Sequence, residues 1–294
     1  MTFESQLPDP IAAAAEACQD WRTLPGEFFS SDDIYRADLE RVWRRGWLFV
    51  GHDCEIPRAG DFFTLNIGAD SLLVIRGDDG QVRAFHNVCR HRGTLLCRES
   101  SGSVRQLVCP YHQWVYGKDG KLLSCRGMQD GIDTGALGLS PVSLENLCGF
   151  IFVNLAKQPS DFSPARELTE PMLRRQGCDR AKVAKAVNYI VHSNWKLVWE
   201  NNRECYHCNR NHPQYIKANY DHYNDDDTSP ELMQKIADKS QRSDAEWGRH
   251  GLAITHRSSG MAPFPDAGND GWFTINRTPL ADGYISETMD GQQV

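Results

Sequence analysis

The sequence predicts an α+β protein of two domains, in which an antiparallel β-domain is followed by a domain that combines helices with an antiparallel sheet. Its 294 residues are nearly twice the roughly 150 residues of an average domain. From residue 47 to about residue 155, short β-rich segments alternate with turn residues, whereas helical patterns dominate the later part of the chain. Residues 157–164, which are rich in Pro and Ser, predict a linker between the two domains.

The predicted elements follow one another along the chain. Residues 1–45 should form a helical segment in two pieces, residues 46–160 the β-domain and residues 161–294 the second domain. In the β-domain we expect the short strands of a sandwich or small barrel, at 62–67, 72–76, 81–86, 114–116, 121–123 and 149–155. After the linker we expect strands at 183–191 and 272–277, a helix from 195 to about 211 that Ser193 or Asn194 caps, and a helix at 231–249.

Composition limits the class of protein. With 24% charged and 40% hydrophobic residues the chain is globular, and its formal charge of −7 argues against sequence-independent binding to nucleic acid. No apolar run reaches the roughly 18 residues of a membrane span, and the apolar stretch at 11–15 does not resemble a signal peptide. We therefore expect a soluble, cytoplasmic protein, in which cysteines close to histidines are metal ligands rather than disulfides. Cys205 and Cys208 are expected to be packing residues.

Two short loops carry the strongest chemical signal. Cys89 and His91 are two residues apart, and Cys109 and His112 are three apart, with seventeen residues between the two groups. Structural zinc sites usually take a Cys pair from one knuckle and a His pair from a helix. Here each loop contributes one of each, which suits a Rieske [2Fe-2S] cluster with two cysteines on one iron and two histidines on the other.

A second group of ligand-type residues lies on the helix predicted after Ser193. Glu204 and His207 are three residues apart and share a helix face. His207 and His212 are five apart, so both can reach one metal only if the helix distorts or ends between them, which Pro213 favours. Two histidines are part of a 2-His-1-carboxylate Fe(II) site. Taken alone, this spacing equally suits two histidines that hydrogen-bond to the backbone.

Residues 89–93 (CRHRG) and 109–122 (CPYHQWVYGKDGKL) resemble the cluster loops of Rieske non-haem iron oxygenases of the ring-hydroxylating type, in their α subunits. The family commonly has Gly where this chain has Gln113. The sequence ENNRECYHCNRNHP, which contains His207 and His212, is most similar to the glycine betaine and choline monooxygenase branch. The resemblance covers most of the chain, from about Trp21 onwards.

This resemblance implies a β-sandwich Rieske domain and a helix-grip-like catalytic domain. It implies a [2Fe-2S] cluster on Cys89, His91, Cys109 and His112, and a mononuclear Fe(II) on His207 and His212. Glu204 would carry electrons from the cluster of one subunit to the iron of its neighbour in a homotrimer. A reductase containing flavin and an iron–sulfur centre would supply those electrons from NAD(P)H.

The implied reaction is hydroxylation of an N-methyl group of a small quaternary ammonium compound by O2. Conversion of glycine betaine to dimethylglycine and formaldehyde is favoured, with choline, stachydrine, carnitine or an aromatic compound as alternative substrates. A Rieske electron carrier without catalysis would explain the first group of ligands but not the second, and a zinc-binding interaction module is the other alternative.

The carboxylate ligand of the mononuclear iron has no clear candidate in the sequence. No Asp or Glu after His212 has a matching spacing, and in the family this ligand lies far downstream. We therefore expect the catalytic domain to continue beyond residue 294, so that this segment alone would hold the cluster and be inactive. Asp221 or one of Asp225, Asp226 and Asp227 would be the ligand if it were active.

Overall fold

The structure of the protein, a computed structural model, describes residues 10–18, 23–128, 131–203, 207–219, 229–252 and 279–285. Contacts between residues divide the chain into two compact units. The first, here called the β-unit, comprises residues 38–160 and 178–187. The second, here called the helical unit, comprises residues 1–37, 161–177 and 188–294.

Ten strands, all paired in antiparallel fashion, form two sheets in the β-unit. They are β1 Leu48–His52, β2 Asp61–Ile67, β3 Asp70–Arg76, β4 Val82–His86, β5 Ser101–Ser103, β6 Leu107–Val108, β7 Val115–Tyr116, β8 Leu122–Ser124, β9 Pro141–Leu147 and β10 Phe150–Asn154. Seven of them form one sheet in the order β1-β10-β9-β4-β3-β2-β5, and the other three form a sheet in the order β6-β7-β8.

Strand β3 lies between two hydrophobic cores because both of its faces are buried. Side chains alternate across a strand, and here Leu73 and Ile75 point into one core while Leu72 and Val74 point into the other. The first core also contains Cys89 and Cys109, and it is closed by side chains of the three-stranded sheet, among them Tyr116. The two cysteine loops are therefore fixed to the best-packed part of the β-unit.

The described part of the helical unit contains α1 Pro10–Glu16, α2 Glu27–Ser30, α3 Asp32–Asp38, α4 Ser163–Arg175, α5 Trp195–Arg203, α6 Cys208–Asn211, α7 Pro213–Ala218 and α8 Pro230–Arg249. Helix α3 continues into a short π-helical turn, Leu39–Trp43, in the β-unit. As the sequence predicts, Asn194 caps α5, since its Oδ1 accepts a hydrogen bond from the backbone N–H of Lys196 at 3.1 Å. No helix among the described residues is long and apolar enough to cross a membrane.

The structure confirms the predicted α+β class and most predicted strands of the β-unit, but the strand expected at 183–191 is wrong. Residues 181–193 are exposed and have no regular structure. A strand is stabilised by hydrogen bonds to a neighbour, and no described strand pairs with this segment. Helix α4 begins inside the predicted linker, where Oδ1 of Asp161 accepts a hydrogen bond from the N–H of Ser163. The strand predicted at 272–277 lies outside the described residues.

Candidate metal centres

The two cysteine loops have the same backbone construction, displaced by twenty residues. The pair Val88 and Leu95 closes the first loop as an isolated bridge, and the pair Val108 and Val115 closes the second. In both loops the cysteine N–H donates to the carbonyl five residues later, from Cys89 to Thr94 and from Cys109 to Trp114, each at 2.8 Å.

The fourth residue after each cysteine closes the turn. The N–H groups of Gly93 and Gln113 donate back to the cysteine carbonyls, each at 3.0 Å. Both residues have positive φ, +74° and +58° respectively. Glycine adopts this conformation freely, whereas Gln113 adopts it at a cost in backbone strain. Two loops built alike hold their cysteines in matching positions.

The cysteine side chains lie on the inner side of the loops. Cys89 and Cys109 are 2% and 1% exposed, and neither forms a disulfide. The Tyr116 phenol oxygen lies 3.3 Å from Sγ of Cys89 and accepts a hydrogen bond from the N–H of Arg90 at 3.0 Å. Because this oxygen already accepts from Arg90, its own hydrogen is available to the sulfur. Burial, followed by the contact with Cys89, raises the pKa of Tyr116, so the phenol keeps that hydrogen.

The two histidine rings lie at the outer side of the loops. The rings of His91 and His112 are 4.7 Å apart between centroids and inclined at 70°. The indole of Trp114 stacks on His91 at 4.8 Å with an angle of only 8°, and the ring of Tyr111 lies over His112 at 3.7 Å. Both histidines line an open cavity of about 450 Å³.

The Nδ1 atom of His91 is buried and has no hydrogen-bond partner in the structure. Desolvation, followed by the nearby His112 and Arg92, lowers the pKa of His91. An unpaired nitrogen on a neutral imidazole is the form in which histidine binds a metal. Buried polar atoms are otherwise almost always paired, so this atom marks a position that a metal would complete.

The four side chains offer the donor set of a [2Fe-2S] cluster of the Rieske type. Such a cluster takes two cysteine thiolates on one iron and two neutral imidazoles on the other. The two buried thiols of Cys89 and Cys109 and the imidazoles of His91 and His112, of which His91 has an unpaired Nδ1, match this donor set.

The second group of predicted ligands lies in the helical unit, where His212 separates helix α6 from helix α7. Helix α5 ends at Arg203, α6 ends at Asn211 and α7 begins at Pro213. The helix thus ends before Pro213, as expected, and the rings of His207 and His212 are 5.3 Å apart at an angle of 78°. Both could reach a single metal from this arrangement.

Other residues predicted around this histidine pair fall outside the described residues. They are Glu204, Cys205, Asp221, Asp225, Asp226 and Asp227. Cys208 is buried, as expected of a packing residue, but it takes part in a disulfide bond, contrary to the expectation that it only packs. Its Sγ lies 3.9 Å from Nε2 of His207.

Tyr116 and Trp114 are functional residues that the cysteine and histidine motifs do not reveal, although the sequence contains a signal for both. They are two residues apart, so on an extended segment they face the same side as each other. The sequence WVY after CPYHQ, with a small aliphatic residue between two large aromatics, has this pattern. The structure buries both rings in the core that contains the two cysteines.

Comparison with known proteins gives the class of each unit. The profile of the Rieske [2Fe-2S] domain matches residues 46–135, and that of the ring-hydroxylating α-subunit catalytic domain matches residues 178–275. Over 98% of its length the chain is 38% identical to the glycine betaine monooxygenase oxygenase subunit of Chromohalobacter salexigens. Over 100% of its length it is 38% identical to the subunit of the same name from Pseudomonas aeruginosa.

A solved structure gives the same class. The chain is similar to a quaternary ammonium Rieske monooxygenase in complex with its substrate L-carnitine, with a TM-score of 0.60 and 29% identity. The match covers 65% of this chain and 56% of that one. The chain also spans only 64% and 67% of the length of the two curated relatives.

The fold and the two cysteine loops thus define a protein with a Rieske iron–sulfur domain joined to a catalytic domain. More particularly, the chain belongs to the α-subunit family of Rieske non-haem iron oxygenases of the ring-hydroxylating type. The cofactors that go with these two domains are a Rieske [2Fe-2S] cluster and a mononuclear iron.

Proposed function

We propose that Cys89, His91, Cys109 and His112 hold the [2Fe-2S] cluster and that His207 and His212 hold the mononuclear iron. The unpaired Nδ1 of His91, together with the burial of both cysteines, supports the first assignment. The 5.3 Å separation of the two rings supports the second. Glu204 is proposed as the residue that carries electrons between the two centres. We also propose that the chain divides after residue 45 and after residue 160, into an N-terminal segment, the Rieske domain and the catalytic domain.

The protein is proposed to be the oxygenase component of a two-component monooxygenase that N-demethylates a small quaternary ammonium compound, with glycine betaine as the favoured substrate. The observation that carries this proposal is the 38% identity to glycine betaine monooxygenase oxygenase subunits over almost the whole chain. L-Carnitine is the second candidate, because it is the substrate bound in the solved structure described above.

The proposed reaction consumes one O2, two electrons and two protons for each methyl group. When bound, the cluster supplies single electrons and the mononuclear iron supplies an open position for oxygen activation. One oxygen atom is inserted into a C–H bond of the N-methyl group and the other leaves as water. The C–N bond of the resulting hydroxymethyl group then breaks, its electron pair stays on nitrogen and the hydroxyl proton passes to the amine. The products are formaldehyde and, from glycine betaine, dimethylglycine.

The chain's own residues contribute by holding the ligands and controlling access of water. The matched loops fix the two sulfurs inside the core, and Tyr116 offers a hydrogen bond to Sγ of Cys89. Trp114 covers one face of His91, which keeps water from that side of the imidazole. We propose that an NAD(P)H-dependent reductase with flavin and iron–sulfur centres supplies the electrons. We also propose that the protein is a cytoplasmic homotrimer.

The test uses the complete oxygenase subunit, prepared anaerobically and supplied with iron, a reductase and NADH. Oxygen uptake and formaldehyde release are measured against glycine betaine, choline, stachydrine and carnitine. Equimolar formaldehyde and dimethylglycine from glycine betaine, at the highest kcat/KM of the panel, would support the proposal. A higher kcat/KM for carnitine would transfer the assignment to the second candidate, and no formaldehyde from any of them would contradict N-demethylation.

Metal content distinguishes the rival classes of protein. A Rieske oxygenase should contain about three irons per chain and a Rieske electron carrier about two. A zinc-binding module would be colourless, whereas a Rieske cluster is red-brown and gives an EPR signal when reduced.

A further inference from the structure

The two matched loops differ in how their ends are held together. At the second loop, strands β6 and β7 form a regular ladder, in which the pair Leu107 and Tyr116 follows the closing pair. The base of the first loop, residues 87, 88 and 95–97, has only the isolated bridge between Val88 and Leu95. Each further pair of a ladder adds backbone hydrogen bonds. The base of the first loop therefore needs hydrogen bonds from another source.

The side chain of Asn87 supplies these hydrogen bonds. Its Oδ1 accepts from the backbone N–H of Cys97 at 2.9 Å, and its Nδ2 donates to the carbonyl of the same residue at 2.7 Å. One amide thus binds both backbone groups of Cys97, as the opposite residue of a ladder would. The backbone of Asn87 adds less, because its carbonyl accepts from the N–H of Leu96 at 3.3 Å.

Asn87 also fixes the base of the first loop to the seven-stranded sheet. Its N–H donates to the carbonyl of Ser71 in strand β3 at 2.8 Å, and its Nδ2 donates to Oγ of the same serine at 3.3 Å. Asn87 follows directly after strand β4 and precedes Cys89 by two residues. It is 1% exposed, so water cannot replace these hydrogen bonds. The first loop is therefore held by one amide at the point where it leaves the sheet.

The first loop contains one proposed ligand for each iron of the cluster. A Rieske cluster has its cysteines on one iron and its histidines on the other, so Cys89 belongs to one iron and His91 to the other. A shift at the base of this loop therefore changes the coordination of both irons, while the ligands of the second loop stay in place. The corresponding position in the second loop, twenty residues later, is Leu107, whose backbone pairs in the ladder. Asn87 thus has no equivalent in the second loop.

We propose that Asn87 is a positioning residue of the cluster, whose amide holds the base of the first loop so that Cys89 and His91 keep their distance from the ligands of the second loop. This inference rests on the proposed function, because it requires a cluster between the two loops. Asn87 acts through the backbone of Cys97 and Ser71 and not through a contact with the cluster. Residues that hold metal ligands in place affect the affinity and the electronic properties of a metal site as well as stability.

The test compares two buried asparagines of the β-unit. Asn87→Ala removes the amide and leaves the N–H and the carbonyl of Cys97 without their side-chain partner. Asn154→Ala is the matched control, because Asn154 is also 1% exposed and its amide also binds the backbone. Its Nδ2 donates to the carbonyl of Arg45 at 2.8 Å, and its Oδ1 accepts from the N–H of Ala156 at 2.9 Å. Both substitutions should destabilise the fold, but only Asn87 lies at a cluster loop.

Three properties of the anaerobic holoprotein distinguish positioning from stability. They are the EPR g-values of the reduced cluster, its reduction potential, and the rate at which a chelator removes the cluster, followed by the loss of visible absorbance. Asn87→Ala should shift the g-values and the potential and should lose the cluster about tenfold faster than the unchanged protein. Asn154→Ala should keep both the g-values and the potential, and its rate of cluster loss should change less than about twofold.

Two further variants separate the amide from its surroundings. Cys97→Ala keeps the backbone groups that Asn87 binds and removes only the thiol, so the g-values should stay as they are. Asn87→Ser is the milder substitution at the same position, because a hydroxyl can form a hydrogen bond with one of the two backbone groups. Its g-values and its rate of cluster loss should lie between those of Asn87→Ala and the unchanged protein.

The possible outcomes separate the two proposals. If the unchanged protein contains no [2Fe-2S] cluster, the proposed function fails. If the cluster is present but Asn87→Ala has the g-values, potential and rate of cluster loss of Asn154→Ala, only the positioning role fails. An equal shift of the g-values in Cys97→Ala would assign the effect to the thiol and overturn the proposal. If neither variant of Asn87 folds while Asn154→Ala does, Asn87 maintains the fold and not the cluster, and the proposal is again overturned.

Discussion

The phenol oxygen of Tyr116 lies 3.3 Å from Sγ of Cys89, and the backbone N–H of Arg90 donates to the same oxygen. Tyr116 is fully buried, so water cannot replace either hydrogen bond. The arrangement directs the phenolic hydrogen to a sulfur that is proposed to bind iron. Hydrogen bonds to the sulfurs are among the factors that set the potential of an iron–sulfur cluster.

The substitution Tyr116→Phe should lower the reduction potential of the cluster. A donor stabilises the more negative, reduced state, and a hydrogen bond whose strength differs by about 1.4 kcal/mol between the two states corresponds to about 60 mV. A potentiometric titration monitored by absorbance checks this prediction. Tyr35→Phe, at an exposed tyrosine of the helical unit, is the control and should leave the potential as it is. An unchanged potential in Tyr116→Phe would show that the phenol does not donate to the thiolate.

The stack of Trp114 on His91 leads to a second prediction, in the opposite direction. Trp114→Leu removes the cover from one face of the imidazole, so water can solvate the extra negative charge of the reduced cluster and the potential should rise. The same substitution should cost about 3 kcal/mol of unfolding free energy, because Trp114 is 2% exposed in the core. Trp114→Phe keeps an aromatic ring over His91 and should restore most of the potential.

Potential and stability can be separated in this pair of variants. The potential follows the ring that covers His91, whereas denaturant unfolding follows the volume removed from the core. If Trp114→Leu and Trp114→Phe have the same potential, the stack has no effect on the cluster and Trp114 only fills space.

The sequence was sufficient for those features that depend on residues close together in the chain. Cys89, His91, Cys109 and His112 could be proposed as cluster ligands because each loop contains its cysteine and histidine within four residues. The contact from Tyr116 to Cys89 joins residues 27 apart, and it depends on how the three-stranded sheet packs on the first loop. Such a contact leaves only a pattern of alternating aromatics in the sequence, which is equally typical of an ordinary strand.

The segment 183–191 is a case in which a local sequence pattern predicts a strand that the structure does not contain. Its alternating sequence satisfies the periodicity of a strand, but periodicity alone provides no neighbour with which to pair. Residues 181–193 are exposed, and no described strand is hydrogen-bonded to them. Helix α4 was missed for a related reason, since Pro and Ser at 159–164 are typical of linkers and also of the first turn of a helix.

A third prediction concerns acid stability of the β-unit. A hydrogen bond with the side chain of Ser103 lowers the pKa of Asp61 from the usual 3.8, and the N–H and guanidinium of Arg58 act in the same direction, while burial opposes them. A carboxylate whose pKa is lower in the folded state stabilises the protein above its unfolded pKa. That contribution is lost as the pH falls through the folded value. Stability should therefore decline below about pH 4.

Asp61→Asn should remove this part of the acid dependence. At pH 7 the variant should be less stable by about 1 kcal/mol, because an amide is a weaker acceptor than a carboxylate for the N–H of Arg58. Urea midpoints measured between pH 2.5 and 7 check both effects. Parallel curves for the variant and the unchanged protein over the acid range would show that Asp61 does not contribute to acid unfolding.

The last prediction uses the two matched loops as controls for each other. Gly93 and Gln113 occupy equivalent positions, four residues after the loop cysteine, and both have positive φ. A side chain at Gly93 would meet no heavy atom within 4 Å, so Gly93→Ala adds backbone strain without a clash. It should destabilise the β-unit by about 1 kcal/mol. Gln113→Gly removes the same strain and should stabilise the β-unit by up to about 1 kcal/mol. The greater entropy of glycine in the unfolded chain makes the gain smaller than this.

Denaturant unfolding of the holoprotein measures both changes, and the EPR spectrum of the reduced cluster shows whether the loops keep their geometry. The two effects should have opposite signs and leave the spectrum unchanged, because neither substitution removes a proposed ligand or a loop hydrogen bond. If Gln113→Gly is instead destabilising, the Gln113 side chain contributes more through its own contacts at the histidine cavity than its backbone strain costs. In that case Gln113→Ala, which keeps the backbone strain but loses the side-chain contacts, should be less stable than both the unchanged protein and Gln113→Gly.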